Sequence, residues 1–286
     1  MVLREPPVLR ILQLSDPHLL ADPAGLCRGR PPLALLQHGL AAALSQLARE
    51  GSPPDCLLLS GDLCHDESWG GYARLRDLLA AHPALPGVAL LPGNHEHLLR
   101  LRSALGRQAA LAPARLPLGH GPGSWRLLLL DSHCPARVGG RLGAAQLAWL
   151  ERELSEASDA GVWVLLAVHH PPGPIGDALL DTIHLEDGAA LLALLAVHPA
   201  VRGLVFGHIH QHWQGWLPGP PGRPLLGCPS TLCPFPAVQP CPLGRPDDPG
   251  GRLLELTASG ELHHRLLRWP LPETLKISPF PWPFQP

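Results

Sequence analysis

The chain has 286 residues, of which 45% are hydrophobic and 16% are charged, and its formal net charge is −2. A chain of this length can bury a sizeable core, in one α/β domain or in two smaller ones. Because the basic residues form no stripe, the sequence does not indicate a nucleic-acid-binding groove, although it is compatible with a small anionic substrate.

The cysteines and the apolar segments indicate in which cellular compartment the protein works. The seven cysteines form no Cys-x-x-Cys pair, and a disulfide framework is not expected in so long a chain, which favours a reducing compartment. The first residues lack the basic and long apolar segments of a signal peptide. No uncharged apolar stretch approaches the roughly 18 residues of a membrane span. We therefore predict a cytoplasmic protein with neither a membrane nor a nucleic acid as a partner.

Short apolar runs alternate with helical patterns over most of the chain. Strands are predicted at 8–15, 55–60, 87–92, 125–131, 161–168 and 203–206. Helices are predicted between them at 33–50, 68–81, 95–105, 144–157 and 187–197. Apolar runs of about four to eight residues between amphipathic helices are typical of buried strands in an α/β sheet.

The pattern changes after Pro218. The segments 223–230 and 251–269 predict strands, and Ser-Gly at 259–260 predicts a hairpin turn within the second segment. Neither an internal repeat nor a domain linker is evident in the sequence. We therefore predict a single domain at residues 1–270, followed by an irregular proline-rich tail at residues 271–286.

Side chains that can bind metal ions follow five of the predicted strands, each at its carboxyl end. They are Asp16 and His18, Asp62, Asn94 and His95, His169 and His170, and His208 and His210. Ligands bind at this edge of open α/β sheets because the loops between strands and helices converge there. Any one of these groups alone is more often a turn, a helix cap or a buried histidine. Five groups in order favour a shared site.

The residue types fit two adjacent metal ions. Two aspartates, one asparagine and four histidines can fill two sites if one carboxylate bridges them. Oxygen and nitrogen ligands without thiolate suit Fe, Mn, Zn or Co rather than an iron–sulfur cluster or Cu(I). Two metals about 3.5–4 Å apart can activate water and hold both oxygens of an in-line phosphoryl displacement.

These residues resemble the motifs of the calcineurin-like metallophosphoesterases, which are Asp-x-His, Gly-Asp, Gly-Asn-His-Asp/Glu, His and Gly-His-x-His in that order. A closer resemblance is to the bacterial class III 3′,5′-cyclic-AMP phosphodiesterases. It is carried by LQLSDPH (12–18), GDLCHD (61–66), LPGNH (91–95), LLLDS (128–132), QLAWLE (146–151), GHIHQ (207–211) and PST (229–231). Glu96 stands where the close relatives more often carry Asp, and PSTLCPF (229–235) differs by one residue from their pattern.

The resemblance implies an α/β fold, a four-layer αββα sandwich of two mixed β-sheets. It implies that one divalent metal ion is bound by Asp16, His18 and His210, that a second is bound by Asn94, His169 and His208, and that Asp62 bridges both. The metals would be Fe²⁺ or Mn²⁺, with Zn²⁺ or Co²⁺ as alternatives. His95 would contact the phosphate and assist the departing oxygen. The residues implied to surround the substrate are His18, Asp62, Asn94, His95, His169 and His210.

The activity implied is that of a metal-dependent phosphodiesterase, in which a metal-bridging hydroxide attacks phosphorus in line and opens 3′,5′-cyclic AMP to 5′-AMP. The implied partner is this small-molecule cyclic nucleotide, and the sequence gives no oligomeric state. The alternatives are a broader phosphodiesterase acting on other cyclic nucleotides or glycerophosphodiesters, and a non-catalytic binding module on the same fold. A protein serine/threonine phosphatase is disfavoured, because GDLCHDES (61–68) lacks the Asp-Arg pair of those enzymes.

Two further expectations concern residues around the motifs. The segment Pro229–Phe235 is expected to shape the nucleoside side of the pocket. Five histidines close to the motifs are interpreted as surface residues or as supports for the ligands, namely His65, His97, His133, His184 and His212.

Overall fold

A computed structural model describes residues 8–83, 85 and 87–275 of the chain. Within these residues the strands are β1 (Leu9–Leu14), β2 (Cys56–Leu59), β3 (Val88–Leu90), β4 (Ala110–Leu111), β5 (Ala114–Leu118), β6 (Trp125–Leu129), β7 (Trp163–Val168), β8 (Val201–Phe206), β9 (Trp213–Trp216), β10 (Pro224–Gly227), β11 (Gly250–Leu256) and β12 (Leu262–Arg268). The α-helices are α1 (Pro32–Arg49), α2 (Trp69–Ala80), α3 (Leu98–Leu105), α4 (Gly143–Asp159) and α5 (Gly188–Ala196).

The strands form two six-stranded sheets, and both are mixed. The first sheet has the order β12-β11-β1-β2-β3-β4, with β1 to β4 parallel and β11 antiparallel to both of its neighbours. The second sheet has the order β5-β6-β7-β8-β10-β9. Its four central strands are parallel, while β5 and β9 at its edges are antiparallel to their neighbours.

Three apolar cores hold the layers together. The sheets face each other through one core, which includes Ile11, Leu58 and Leu254 of the first sheet and Leu127, Leu165 and Val205 of the second. Alternate residues of the first sheet, such as Leu12 and Leu14, instead pack against α1, α2 and α3. The outer face of the second sheet packs in the same way against α4 and α5. This alternation follows from the two-residue period of a strand, and it confirms the predicted four-layer αββα sandwich.

Most predicted elements are observed, with differences at the ends and at the sheet edges. Helix α3 begins at Leu98 rather than at residue 95, because residues 93–97 form the loop that carries Asn94 and His95. Strands β4, β5 and β9 were not predicted. The hairpin turn at 259–260 is confirmed between β11 and β12, where Gly260 has a φ of +84°.

Strands β5 and β9 escaped prediction for a physical reason. Strand β5 alternates between half-buried and exposed residues and contains Pro117, and β9 contains Gly215 and has no fully buried residue. An edge strand tolerates such residues because one side of its backbone is unpaired.

Two further predictions concern the C-terminal tail and membrane-spanning segments. Of residues 271–286, only 271–275 lie within the described part, and Glu273–Leu275 form a single 3₁₀ turn; residues 276–286 lie outside it. Among the described helices, none combines the length and the apolar character that a membrane crossing requires.

Candidate metal centre

The loops that follow five parallel strands meet at one edge of the sandwich. From the first sheet, the loop after β1 carries Asp16 and His18, the loop after β2 carries Asp62, and the loop after β3 carries Asn94 and His95. From the second sheet, the ends of β7 and β8 carry His169, His208 and His210. Six of these side chains are buried, and Asn94 and His95 are half-buried. The structure therefore brings together all eight of the predicted site residues.

One group of ligand atoms comprises Asp16, His18, Asp62 and His210, whose ligand atoms all lie within 4.8 Å of one another. The Nε2 atoms of His18 and His210 are 3.1 Å apart. Nε2 of His210 lies 3.5 Å from Oδ1 of Asp16, and Nε2 of His18 lies 3.7 Å from Oδ2 of Asp62. Two imidazole nitrogens and two carboxylates around one point are a donor set that suits a divalent transition metal.

The second group lies on the other side of Asp62. Nε2 of His169 is 3.5 Å from Oδ1 of Asp62, and the ring centroids of His169 and His208 are 5.1 Å apart. Three buried atoms here make no hydrogen bond, namely Oδ1 of Asn94 and Nε2 of His169 and His208. Buried polar atoms are normally satisfied, so three together without a hydrogen bond fit a place for a cation.

His170 is close to the second group but is satisfied without a metal. Its Nδ1 lies 2.8 Å from the Ser132 hydroxyl and its Nε2 lies 2.9 Å from the Val138 carbonyl oxygen. Both ring nitrogens therefore have partners within the protein. This gives a physical reason to distinguish His170 from His169, which the resemblance alone implied as the ligand.

Backbone carbonyl groups orient two of the imidazoles. Nδ1 of His169 lies 2.8 Å from the Ser60 oxygen, and Nδ1 of His210 lies 3.0 Å from the Cys233 oxygen. A carbonyl oxygen can only accept, so Nδ1 carries the proton and Nε2 keeps its lone pair for a metal in the neutral ring. His18 differs, since its Nδ1 lies 3.3 Å from Nδ1 of His65.

The two carboxylates dominate the electrostatics. Burial alone would lower the pKa of His169, but Asp62 raises it to about 9. Burial acts in the same direction on His210, whose pKa Asp16 raises to about 10. Burial would raise the pKa of Asp62, but the charge of His169 beside it holds that pKa well below its usual value. Protons on these imidazoles thus balance the carboxylate charge without a metal, and metal binding would release them.

Five of the site residues have a left-handed backbone. The φ angles lie between +49° and +66° for Asp16, His18, Asp62, His208 and His210. Asp and His tolerate this region better than most residues, but each such position still carries strain. Strain of this kind clusters at functional sites, and here it turns the side chains at the strand ends toward a common centre.

Two glycines allow the loops to approach so closely. A Cβ atom on Gly93 would lie 2.2 Å from Oδ1 of Asp62 and 2.7 Å from Nε2 of His169. A Cβ atom on Gly207 would lie 2.2 Å from the Ser15 hydroxyl, across the gap between the sheets. Any larger residue at either position would force the two halves of the site apart.

Glu96 has a role that the sequence motif only hinted at. Its carboxylate accepts backbone N–H groups from Asp62 (3.2 Å), Leu63 (2.6 Å) and Cys64 (3.1 Å), and a further one from Gly93. Burial and the charge of Asp62 raise its pKa to about 8, against the opposing effect of these donors. Glu96 therefore ties the β2 loop to the β3 loop. The acidic residue after Gly-Asn-His was the available signal.

The segment Pro229–Phe235 lies behind the ligands. The Ser230 hydroxyl donates to the Asp16 carbonyl oxygen at 2.8 Å, the Cys233 carbonyl oxygen faces His210, and the Phe235 ring stacks on the His210 ring at 4.0 Å. The whole segment is buried except for Pro234, which is half-buried. These contacts support Asp16 and His210, and the expectation that the segment shapes the nucleoside side of the pocket stays a prediction.

The five other histidines close to the motifs have different surroundings. His65 and His133 contact site residues, since the His65 ring lies 4.6 Å from that of His95 and Nδ1 of His133 lies 2.9 Å from the Gly93 oxygen. His184 and His212 have other partners, the Asp181 carbonyl and the Arg252 guanidinium. His97 immediately precedes α3.

A cavity of about 620 Å³ opens directly onto the site. Asn94 and His95 belong to its lining, which joins the β3–α3 loop to the loop after β6. The other lining residues are Arg28, Glu67, Glu96, His97, Leu98, Leu99, His133, Pro135, Ala136, Arg137 and Val138. Cavities of about 300–1,000 Å³ with mixed apolar and polar walls are typical of small-molecule sites.

Comparison with known proteins agrees with this geometry. The family model described as calcineurin-like phosphoesterase matches residues 9–212. The chain belongs to the calcineurin-like phosphoesterase family. It is 50% identical over 265 residues to a probable cyclic nucleotide phosphodiesterase of Synechococcus sp. (strain WH7803), covering 91% of this chain and 96% of that one.

A second relative is more distant in sequence. The 3′,5′-cyclic adenosine monophosphate phosphodiesterase CpdA of Escherichia coli (strain K12) is 36% identical over 268 residues, which are 90% of each chain. Among solved structures, a dimetal phosphatase from Danio rerio superposes with a TM-score of 0.58 at 18% identity, covering 92% of this chain and 100% of that one. That likeness shows the shared fold.

Proposed function

We propose that the protein is a dinuclear metal-dependent phosphodiesterase that hydrolyses 3′,5′-cyclic AMP to 5′-AMP. The observation that carries the proposal is the pair of ligand groups on either side of Asp62, one of which holds three buried atoms without a hydrogen bond. Two relatives that align with most of the chain have names denoting phosphodiesterases of cyclic nucleotides.

The proposed ligands follow the two groups. Asp16, His18 and His210 would hold one cation, and Asn94, His169 and His208 the other, with Asp62 shared. The donor set of oxygen and nitrogen atoms supports Fe²⁺ or Mn²⁺, with Zn²⁺ or Co²⁺ as alternatives. Bound there, two such cations supply Lewis acidity that activates water and stabilises charge on the phosphoryl oxygens.

His95 is the proposed catalytic residue of the chain. Its backbone N–H donates to Oδ1 of Asp62 at 3.0 Å, which fixes the loop beside the shared ligand. Its ring lines the cavity and lies 5.1 Å from the His18 ring. As water adds to phosphorus and releases a proton, the bond to the 3′ oxygen breaks; the His95 ring would give a proton to that departing oxygen and regain one from the attacking water.

The proposed substrate set consists of residues that face the shared ligand or the cavity. The phosphate would lie among His18, Asp62, Asn94, His95, His169 and His210. The cavity beyond Asn94 and His95 has room for the nucleoside. A binding module that had lost catalysis would not need to keep seven ligands and His95 together, which disfavours that alternative.

We also propose that the protein acts in a reducing compartment, the cytoplasm. All seven cysteines lie within the described residues and are free thiols. Five of them are buried, and their packing resembles that of small apolar side chains. We propose no nucleic acid or membrane partner.

The test is a substrate panel on metal-reconstituted protein, with the metal content measured on the protein as isolated. We expect two metals per chain and a kcat/KM for cyclic AMP above those for cyclic GMP, glycerophosphodiesters and p-nitrophenyl phosphate. Bis-p-nitrophenyl phosphate should also react, because it carries the same monoanionic diester. Faster hydrolysis of a monoester, or turnover of glycerophosphodiesters with cyclic AMP inert, would overturn the substrate assignment.

A further inference from the structure

Arg28 belongs to the cavity lining but to none of the predicted sites. It lies in the loop between β1 and α1, in a two-residue turn closed by reciprocal backbone hydrogen bonds between Cys27 and Arg30, both 2.9 Å long. Arg28 and Gly29, the two central residues, have φ angles of +50° and +71°. Turns with two positive φ angles favour Asn-Gly, Asp-Gly or Gly-Gly. An arginine at the first position is therefore there at a conformational cost.

The guanidinium group is held by an aromatic ring that is part of the site. Its central carbon lies 5.0 Å from the centroid of the Phe235 ring. Phe235 in turn stacks on His210 with an interplanar angle of 11°. Phe235 is buried, so this platform has a defined position relative to the metal ligands. The guanidinium thus packs on the same ring that stacks on His210.

The position of Arg28 contrasts with that of the other arginine of the cavity. Arg137 lines the same cavity, but its side chain is 55% exposed. Arg28 is half-buried and shares the lining with Asn94 and His95, two residues of the candidate site. A guanidinium keeps its charge at every physiological pH and presents paired N–H donors that match two phosphate oxygens.

We propose that Arg28 binds the phosphate group of the substrate, acting from the cavity side on the oxygens that the centre does not hold. This inference rests on the proposed phosphodiesterase function and adds to it a residue of the substrate site. The contact is preformed, because Phe235 restricts the guanidinium before the substrate arrives. It is made to the phosphate, so it operates on every phosphodiester that the enzyme accepts.

The key variant is Arg28→Asn, because it removes the cation and also creates the Asn-Gly turn that this backbone prefers. We expect its melting temperature to equal or exceed that of the wild type, with two metals still bound. Its kcat/KM should fall by about 10- to 100-fold on both cyclic AMP and bis-p-nitrophenyl phosphate, which is typical of losing a hydrogen bond to a charged group. Calorimetry should show weaker binding of inorganic phosphate by a similar factor.

Two further variants test which property of Arg28 matters. One keeps its positive charge but changes its donor geometry, and the other removes a different positive charge nearby. Arg28→Lys keeps the charge but not the paired donors, and we expect an intermediate loss. Arg30→Gln removes an arginine from the same turn, one whose side chain reaches the Leu232 carbonyl oxygen at 3.5 Å, and we expect values near those of the wild type.

Each contrary outcome overturns the proposal. Unchanged phosphate binding in Arg28→Asn would exclude the contact. A loss confined to cyclic AMP would assign Arg28 to the nucleoside, and loss of metal would make its role structural. If the wild type hydrolyses neither diester, the proposed function fails, while calorimetry with inorganic phosphate still tests Arg28 separately.

Discussion

The two sheets contribute to the candidate metal centre with different chemistry. The first sheet supplies every carboxylate and amide oxygen of the candidate site, together with the imidazole of His18. The second sheet supplies three imidazoles and no carboxylate. The loops of the first sheet are tied to each other by Glu96, which accepts backbone N–H groups from two of them. Of the imidazoles of the second sheet, His210 has its partner in the loop after β10, whereas His169 takes its partner from the first sheet.

The contacts between the sheets show what this difference means. The Ser60 carbonyl oxygen of the first sheet orients His169 of the second, and the Asp16 carboxylate accepts the His208 backbone N–H at 3.2 Å from each oxygen. Protons on His169 and His210 balance Asp62 and Asp16 across the same boundary. Contacts within each sheet orient only part of the site, so its complete arrangement forms when the sheets pack together.

The largest expected effect comes from removing the residue shared by both groups. Asp62→Ala deletes the carboxylate that faces His18 on one side and His169 on the other. With no shared negative charge, two cations would repel each other, so we expect weak binding of both metals and activity near background. Metal analysis and turnover measure this, with the exposed Asp77→Ala as the control. Two tightly bound metals in Asp62→Ala would contradict the assignment of a bridge.

The next largest effect distinguishes a catalytic histidine from a metal-binding histidine. His95→Ala keeps the backbone N–H that bonds Asp62, so we expect metal content to be retained. The loss of general-acid assistance should lower kcat by about 10²- to 10⁴-fold. In His169→Ala, by contrast, the second sheet loses a ligand and metal content should fall. If His95→Ala also lost metal, its place in the transition state would be wrong.

The smallest effect concerns the approach of the two sheets. In Gly207→Ala the new methyl group would lie 2.2 Å from the Ser15 hydroxyl and 2.6 Å from the Ser60 carbonyl oxygen, so the end of β8 must move away from the first sheet. Overpacking of this kind costs about 1–3 kcal/mol in the free energy of unfolding. Chemical denaturation measures that cost, and metal affinity should weaken in parallel.

A glycine with room around it is the control for this change. Gly173→Ala places its methyl group 4.0 Å from the nearest Leu192 atom, an ordinary contact, and should be neutral. Equal stability of the two alanine variants would mean that the sheets can separate at the site without cost.

Local patterns were sufficient to predict much of the fold. The central strands β1, β2, β6, β7 and β8 are mostly apolar and mostly buried, and such runs stand out between amphipathic helices. The edge strands β5 and β9 were missed because their residues are partly exposed and give no comparable signal. The start of α3 was missed because the loop that carries Asn94 interrupts the helical pattern.

The sequence predicted which residues form the candidate site better than it predicted which residues hold them in place. Asp16, Asp62 and Asn94 follow buried strands directly, so a topological rule about strand ends places them together. Glu96 and Ser230 act through backbone partners in other loops. A sequence gives no indication of which backbone group a side chain will reach.

The sequence by itself determined which chemical groups stand at the end of each strand, because strand pattern and motif spacing are local properties of the chain. Only the tertiary structure decided how these groups pair. His18 and His210 are separated by 192 positions, yet their Nε2 atoms lie 3.1 Å apart. The Arg28 guanidinium likewise packs on the ring of Phe235, which lies far along the chain. Such distances follow from the packing of one sheet on the other, which depends on every residue of the shared core.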